Sequence, residues 1–218
     1  MNSWFLLTSF LLAAVRPCQA QVQVSKEPMH HNVFENSWVR VLDVHIPPGD
    51  TSLMHKHSTP SVFLILTNTK TGSQAIVEPR KLRLTPGNIW FEGFYDTPRI
   101  HRVWNSDTTE FHVIDMELLN EKPRTIEPPL QLKSLTLLLD EKPVRGYRFA
   151  LAAQSTTLLS QRNTPIMVIG LTNTGGNVTA NSTSFVKKGD FMFVQPGSSI
   201  DFINKGSAGY EFALFELK

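Results

Sequence analysis

Two stretches of this chain lie over one another without a gap. "VRVLDVHIPPGDTSLMHKHSTPSVFLILTNT" begins at Val39 and "VRGYRFALAAQSTTLLSQRNTPIMVIGLTNT" begins at Val144. Both open on Val-Arg, carry Thr-Pro in the middle and close on Leu-Thr-Asn-Thr, and about a third of all positions are identical. The correspondence continues from "LTPGNIWF" to "VKKGDFMF", from "HRVWN" to "IDFIN" and from "FHVIDMEL" to "YEFALFEL". An internal repeat of this kind constrains the fold more than any composition does, because whatever one half builds the other must build too. The Pro-rich "NEKPRTIEPPLQ" between Asn120 and Gln131 reads as the joint.

Each half is written in β-strands. Short runs rich in Val, Ile, Leu, Phe and Thr alternate with Gly, Pro, Asn and Asp turns. "VRVLDVHI" and "PSVFLILTN" are expected strands flanking the turn Pro47–Asp50, and "RLTPGNIWF" is expected to bend at Pro86-Gly87. No segment carries a long helical apolar stripe. The expectation is an all-β chain of two tandem antiparallel barrels, residues 21–125 and 126–218.

The first twenty residues are set apart. Phe5–Val15 is too short an apolar run to span a bilayer, and Cys18-Gln19-Ala20 supplies a small-residue cleavage pattern. Residues 1–20 are therefore expected to be a signal peptide, and the mature protein to be secreted or periplasmic. Cleavage would remove Cys18, the only cysteine, leaving neither disulfide nor thiolate ligand. It would also remove Arg16, leaving 20 basic against 19 acidic side chains. That balance offers no basic footprint for nucleic acid and no polybasic membrane anchor. Asn177 and Asn181 fit the glycosylation acceptor pattern, which matters only in a eukaryotic source.

The chemistry-bearing residues are histidines. "GDTSLMHKH" puts His55 and His57 two apart, so on a strand both project from one face. "RIHRVWN" supplies His101 as a third imidazole from another strand. Taken together, Gly49-x5-His55-x-His57 and His101-x3-Asn105 resemble the two motifs of the cupin superfamily, and the repeat makes the chain resemble a bicupin. The resemblance implies a jelly-roll barrel in each half. It also implies a divalent transition metal (Fe, Mn, Ni, Cu or Zn) held by His55, His57 and His101.

The chain departs from that pattern in two ways. Ser61 (or Val62) stands where the family places a glutamate, and no carboxylate occurs between His57 and Glu78. The expected ligand set is thus three imidazoles without an acid, Ser61 not among them. The stretch from Gly87 to His101 is also three residues longer than its counterpart and carries Trp90, Phe91, Phe94 and Tyr95, a candidate pocket wall. In the second half the three histidines are replaced by Ser160, Arg162 and Ile200, so that barrel is expected to bind no metal and to serve as scaffold or dimer surface.

The remaining candidates receive plainer readings. His112 is read as a core or surface histidine. His30, His31 and His45 are read as a surface segment rather than a second metal site, and Glu92 as a solvated loop carboxylate. No phosphate loop, nucleophile elbow or dinucleotide fingerprint is present. Three neutral imidazoles leave two or three coordination positions open and leave the metal its full charge, which attracts a bidentate anion. Within the cupins such iron sites belong mostly to dioxygenases of small molecules. The resemblance thus implies a dioxygenase acting on a small anionic aromatic or dicarbonyl compound. The alternative is a non-catalytic cupin that binds a small ligand or protein partner. A homodimer is compatible with either.

Overall fold

The structure is a computed structural model that describes residues 21–67, 69–75, 79–84, 86–120 and 127–218. The expected leader and the expected boundary at 125/126 lie outside the described residues. In the first half the strands are β1 (Val22–Gln23), β2 (His30–Glu35), β3 (Val39–Ile46), β4 (His55–His57) and β5 (Ser61–Ile65). They are followed by β6 (Thr69–Ala75), β7 (Pro79–Leu84), β8 (Ile89–Glu92), β9 (Arg99–Asn105) and β10 (Phe111–Leu118). The second half supplies β11 (Leu135–Glu141), β12 (Val144–Leu151), β13 (Ser155–Leu159), β14 (Ile166–Gly170) and β15 (Val178–Ala180). It ends with β16 (Thr183–Phe185), β17 (Phe191–Val194), β18 (Ile200–Asn204) and β19 (Tyr210–Leu217). A short 3-10 turn at Val24–Lys26 is the one helical element among the described residues.

These strands form two tandem jelly-roll barrels of one topology, as the repeat requires. The order β2-β3-β10-β5-β8 in the first half is matched by β11-β12-β19-β14-β17 in the second. The facing sheet β4-β9-β6-β7 is matched by β13-β18-β15-β16, and β1 is an addition at its edge, parallel to β4. The bends at Gly87 (φ +81°) and Gly189 (φ +88°) occupy corresponding places, each in the left-handed conformation that glycine adopts without strain.

One repeated residue shows why the second motif ends in asparagine. The Asn105 side-chain amide donates to the Ile46 and Thr109 carbonyls, and its oxygen accepts from the Asp107 N–H. Asn204 does the same with Ala152, Ala208 and Gly206. Each asparagine therefore locks the turn into the last strand and satisfies buried backbone groups. Its role is structural in both barrels.

Alternation along the strands gives every long strand two faces. On the outward side, Val39, Val41, Ile114 and Met116 join Val144, Met167, Ala213 and Phe215 in a single buried cluster. That seam packs the two barrels back to back. On the inward side the barrels differ. Val44, Val103 and Val113 line the interior of the first, which keeps a cavity of about 320 Å³. Their repeat counterparts are Phe149, Phe202 and Phe212, whose rings pack 5.0 to 6.1 Å apart in the core of the second. Three valines leave a chamber where three phenylalanines fill one.

That contrast predicts opposite responses to opposite changes. Val44→Phe should fold with stability within about 1.5 kcal/mol of wild type, because the added ring enters existing space. Phe149→Val should lose about 2–4 kcal/mol, because it opens a void in a filled core. Urea denaturation of both proteins checks the pair.

Candidate metal centre

The three motif histidines meet inside the first barrel. β4 pairs antiparallel with β9, and His55 lies directly opposite His101 in that register. His55 and His57 project from the same face of β4, and all three side chains are buried. Their ring centroids lie 4.6 to 5.0 Å apart, and one nitrogen from each falls within 4.8 Å of the others. Neither Ser61 nor Val62 joins them: the Ser61 hydroxyl donates to the Thr59 carbonyl at 3.1 Å.

The hydrogen bonds around the rings decide which nitrogens point inward. His55 Nδ1 lies 2.8 Å from the Leu53 carbonyl, which can only accept, so Nδ1 carries the proton. His55 Nε2 is then a bare acceptor, buried and without a partner among the described residues. His57 Nε2 and His101 Nε2 lie 3.0 Å apart and share one hydrogen. Behind His101, Nδ1 meets the Ser73 hydroxyl at 2.8 Å. A hydroxyl rotates to donate or accept, so Ser73 suits His101 with its proton on either nitrogen. The Arg99 guanidinium donates to the same hydroxyl at 3.3 Å. Three ε-nitrogens thus converge on one point, and their outer nitrogens are backed by protein groups or face one.

The group behind His57 is Asp115. Its carboxylate lies 3.5 Å from His57 Nδ1, and both of its oxygens are buried without a hydrogen-bond partner among the described residues. Burial, followed by the neighbouring Glu117 charge, pushes this carboxyl well above the usual carboxylate range, while the Ser61 hydroxyl opposes the shift. The site therefore contains an acid that the reading of the first motif did not supply. It enters from β10, on the far side of the His57 ring. A parity count places it on the inward face of β10, since Phe111, Val113 and Asp115 alternate onto that face and all three line the cavity, but parity alone does not set it beside His57.

Several plainer expectations need correction. His30 is buried rather than on the surface, edge-on to His55 with centroids 4.7 Å apart. Its Nδ1 bonds Glu27 at 2.5 Å, and Glu27 also accepts from the Met29 and Leu53 N–H groups. The lead-in strand is thus stitched onto the strand of the first two histidines. Glu92 is not in a free loop but ends β8, lines the cavity and lies 3.5 Å from Arg99. Of the aromatic insertion, Trp90 stacks on Phe63 and lines the cavity, and Phe94 stacks on His57. Tyr95 is exposed and lies outside the wall. His112 points away from the chamber, toward Asp43 on the outer face.

In the second barrel, Ile200 is fully buried in the apolar core and Arg162 is paired with Glu216 and Glu127. Leu214 stands where Asp115 does. Neither donor nor backing acid is repeated.

No family model and no curated protein matches the chain. Solved structures do match its shape. YhhW from Escherichia coli aligns with a TM-score of 0.62 at 16% identity over 88% of this chain and 89% of that one. Salicylate 1,2-dioxygenase from Pseudoaminobacter salicylatoxidans, in its gentisate adduct, aligns with a TM-score of 0.58 at 10% identity over 84% and 70%. AerE from Microcystis aeruginosa aligns with a TM-score of 0.56 at 10% identity over 88% and 98%. The fold is that of the cupins, as the histidine motifs led us to expect.

Burial holds the three imidazoles neutral. It brings His55 down to about 4, aided by the His30 charge, and His101 down to about 2, aided by His55. His57 falls well below its ordinary value for the same reason, with His101 adding to it. Below the unfolded value near 6.5, the unfolded chain therefore binds protons that the metal-free folded chain does not. Stability of the metal-free protein should fall as pH drops below about 6.5, by at most about 4 kcal/mol per pH unit for three such groups. His57→Gln should remove about a third of that slope. Urea denaturation of chelator-treated protein at pH 7.5, 6.5 and 5.5 measures it, and an unchanged slope in the variant contradicts the assignment.

Proposed function

We propose that the protein is a metal-dependent oxidoreductase, a dioxygenase acting on a small anionic aromatic or dicarbonyl compound. Residues 21–125 form the working unit, 126–218 its scaffold, and the protein acts outside the cytoplasm after loss of residues 1–20. The observation that carries this reading is the convergence of three neutral imidazoles on the floor of an apolar chamber, with His55 Nε2 and His57 Nδ1 buried and without a partner among the described residues. The His57–His101 separation of 3.0 Å fits the reading. His55, His57 and His101 would hold the ion through Nε2. A bound divalent iron would supply open coordination positions and the redox chemistry that a dioxygenase uses.

The remaining groups divide the work of binding and orientation. Arg99 brings a positive charge to the chamber wall and suits a carboxylate on the substrate. Glu92, 3.5 Å away, holds that guanidinium at the wall. Phe63 and Trp90, stacked 5.0 Å apart, offer a flat apolar surface to an aromatic ring. Val44, Val103 and Val113 keep the space open and exclude water. Asp115 orients His57 by attracting the proton on Nδ1, which leaves Nε2 free to face inward. Ser73 does the same for His101 by turning its hydroxyl to accept. The likeness to a dioxygenase crystallised with gentisate, a hydroxylated aromatic acid, supports the choice of substrate class.

Reconstitution tests the reading. Chelator-treated protein should regain Fe(II) at the chamber, and His57→Ala or His101→Ala should lower its affinity at least a hundredfold. With metal held, Arg99→Gln should weaken an anionic chelating probe such as 4-nitrocatechol or salicylate about tenfold, read by its charge-transfer band. Oxygen uptake with hydroxybenzoates should depend on all three histidines. Full iron affinity in His101→Ala protein would sink the proposal.

A further inference from the structure

The outer face of the first barrel carries a second set of metal-ligating groups. Asp43 and His45 on β3 and His112 on β10 each offer one ligand atom within 4.8 Å of the others. Asp43 divides its oxygens between two rings: Oδ1 lies 2.6 Å from His112 Nε2 and Oδ2 lies 3.2 Å from His45 Nε2. The two imidazoles stack at 4.1 Å, because His45 and His112 are direct partners across the β3–β10 ladder. On its other nitrogen, His45 Nδ1 is held by Glu110 at 2.8 Å. That carboxylate–imidazole pairing fixes ring and tautomer, and recurs behind metal-bound histidines. His31 on β2 stands opposite Asp43, its ring 6.1 Å from that of His45.

The cluster opens on a cleft bounded across the seam by Lys188, Gly189 and Asp190. The groups there leave it clear of competing bonds. Lys188 spends its ammonium on the Leu66 carbonyl at 3.3 Å, and Asp190 accepts from the Val186 and Lys187 N–H groups. Gly189 passes so close to His112 that a Cβ there would stand 3.1 Å from the ring.

The repeat supplies a control. At the corresponding places the second barrel has Arg148, Ala150 and Glu211. Arg148 and Glu211 form an ordinary two-pronged ion pair, at 2.6 and 3.0 Å, beneath the bend at Gly87. If the position needed only a polar pair to cap the seam, that solution was to hand. The first barrel replaces it with two imidazoles sharing one carboxylate, all three partly open to solvent.

We propose that Asp43, His45 and His112 form a second divalent transition-metal site, separate from the chamber and suited to zinc by its two-nitrogen, one-carboxylate donor set. Solvent or His31 completes the coordination. The assignment does not depend on the chamber's metal or activity.

Zinc titration of chelator-treated full chain by calorimetry tests it. Wild type should bind one zinc more than His112→Ala, and His57→Ala/His101→Ala protein should still bind one. Asp43→Asn should weaken that site at least tenfold, and Glu110→Ala by about tenfold through the loss of support for His45. Should His112→Ala fold poorly, His45→Gln removes a donor less disruptively and carries the same expectation. Equal stoichiometry in wild type and His112→Ala or His45→Gln overturns the site. So does complete loss of zinc from the chamber double variant while its folded circular dichroism signature is unchanged. If wild type binds one zinc and His112→Ala none, the outer site stands and the chamber assignment fails.

Discussion

The pairing of β3 with β10 holds this molecule together, because both strands must satisfy two environments at once. The eight-residue ladder sets Phe111 against Ile46, Val113 against Val44 and Asp115 against Leu42, all on the inward face, where every one but Leu42 lines the chamber. The residues between them face outward, where Val39, Val41, Ile114 and Met116 form the barrel seam and Asp43, His45 and His112 form the polar cluster. A slip of one residue would exchange the two faces, putting Asp43 in the chamber and Val113 on the outside. Burial of both faces therefore fixes the register, and the register fixes which carboxylate stands behind His57 and which stands between the outer histidines.

Much of this was legible in the sequence, for physical reasons. Strand alternation and turn chemistry are local, so the strands and the bends at Gly49 and Gly87 could be read directly. The repeat made the topology of one half a statement about the other. His55 and His57 shared a face by their spacing alone, and His101 joined them through the resemblance to cupin motifs. What could not be read was the identity of residues brought together by strands far apart in the chain. Asp115 lies beyond both motifs, and only the β10 ladder carries it to His57. His30 looked like part of a surface lead-in because nothing local announces that β1 and the following turn pack onto β4. Asp43 and His45 share a face of β3 by spacing, but the cluster could not be read because His112 comes from the other end of the barrel's sequence and joins them only across a ladder.

The two halves also separate what the fold needs from what the site needs. Asn105 and Asn204 keep the same three bonds, and the pairs Arg40–Glu117 and Arg145–Glu216 occupy the same places. Such features belong to the barrel itself. The chamber features changed together. Three imidazoles, a backing acid and three small wall residues on one side correspond to Ser160, Arg162, Ile200, Leu214 and three phenylalanines on the other. A barrel relieved of a cavity gains dispersion contacts by filling it, and an unpartnered aspartate inside it would be a liability.

The same reasoning turns back on the first barrel. An Asp with both oxygens buried and, among the described residues, unbonded, beside an imidazole nitrogen in the same condition, costs stability that the Leu214 arrangement avoids. The second barrel demonstrates that the fold tolerates leucine at this place. The ladder could bring the carboxylate closer to His57 or exclude it, yet it stands 3.5 Å away, short of a hydrogen bond. A positive charge arriving at His57 Nε2 would polarise the ring, make the Nδ1 proton more acidic and strengthen its attraction to that carboxylate. It would also favour the ionised form of an acid that burial otherwise disfavours. Acid, imidazole and a bound cation would thus form a coupled line of charge in which each outer member is disfavoured alone and favoured by the other. On the proposed reading, that coupling would give Asp115 its energetic sense and would explain why a group that weakens an empty barrel occurs in the barrel that has a chamber.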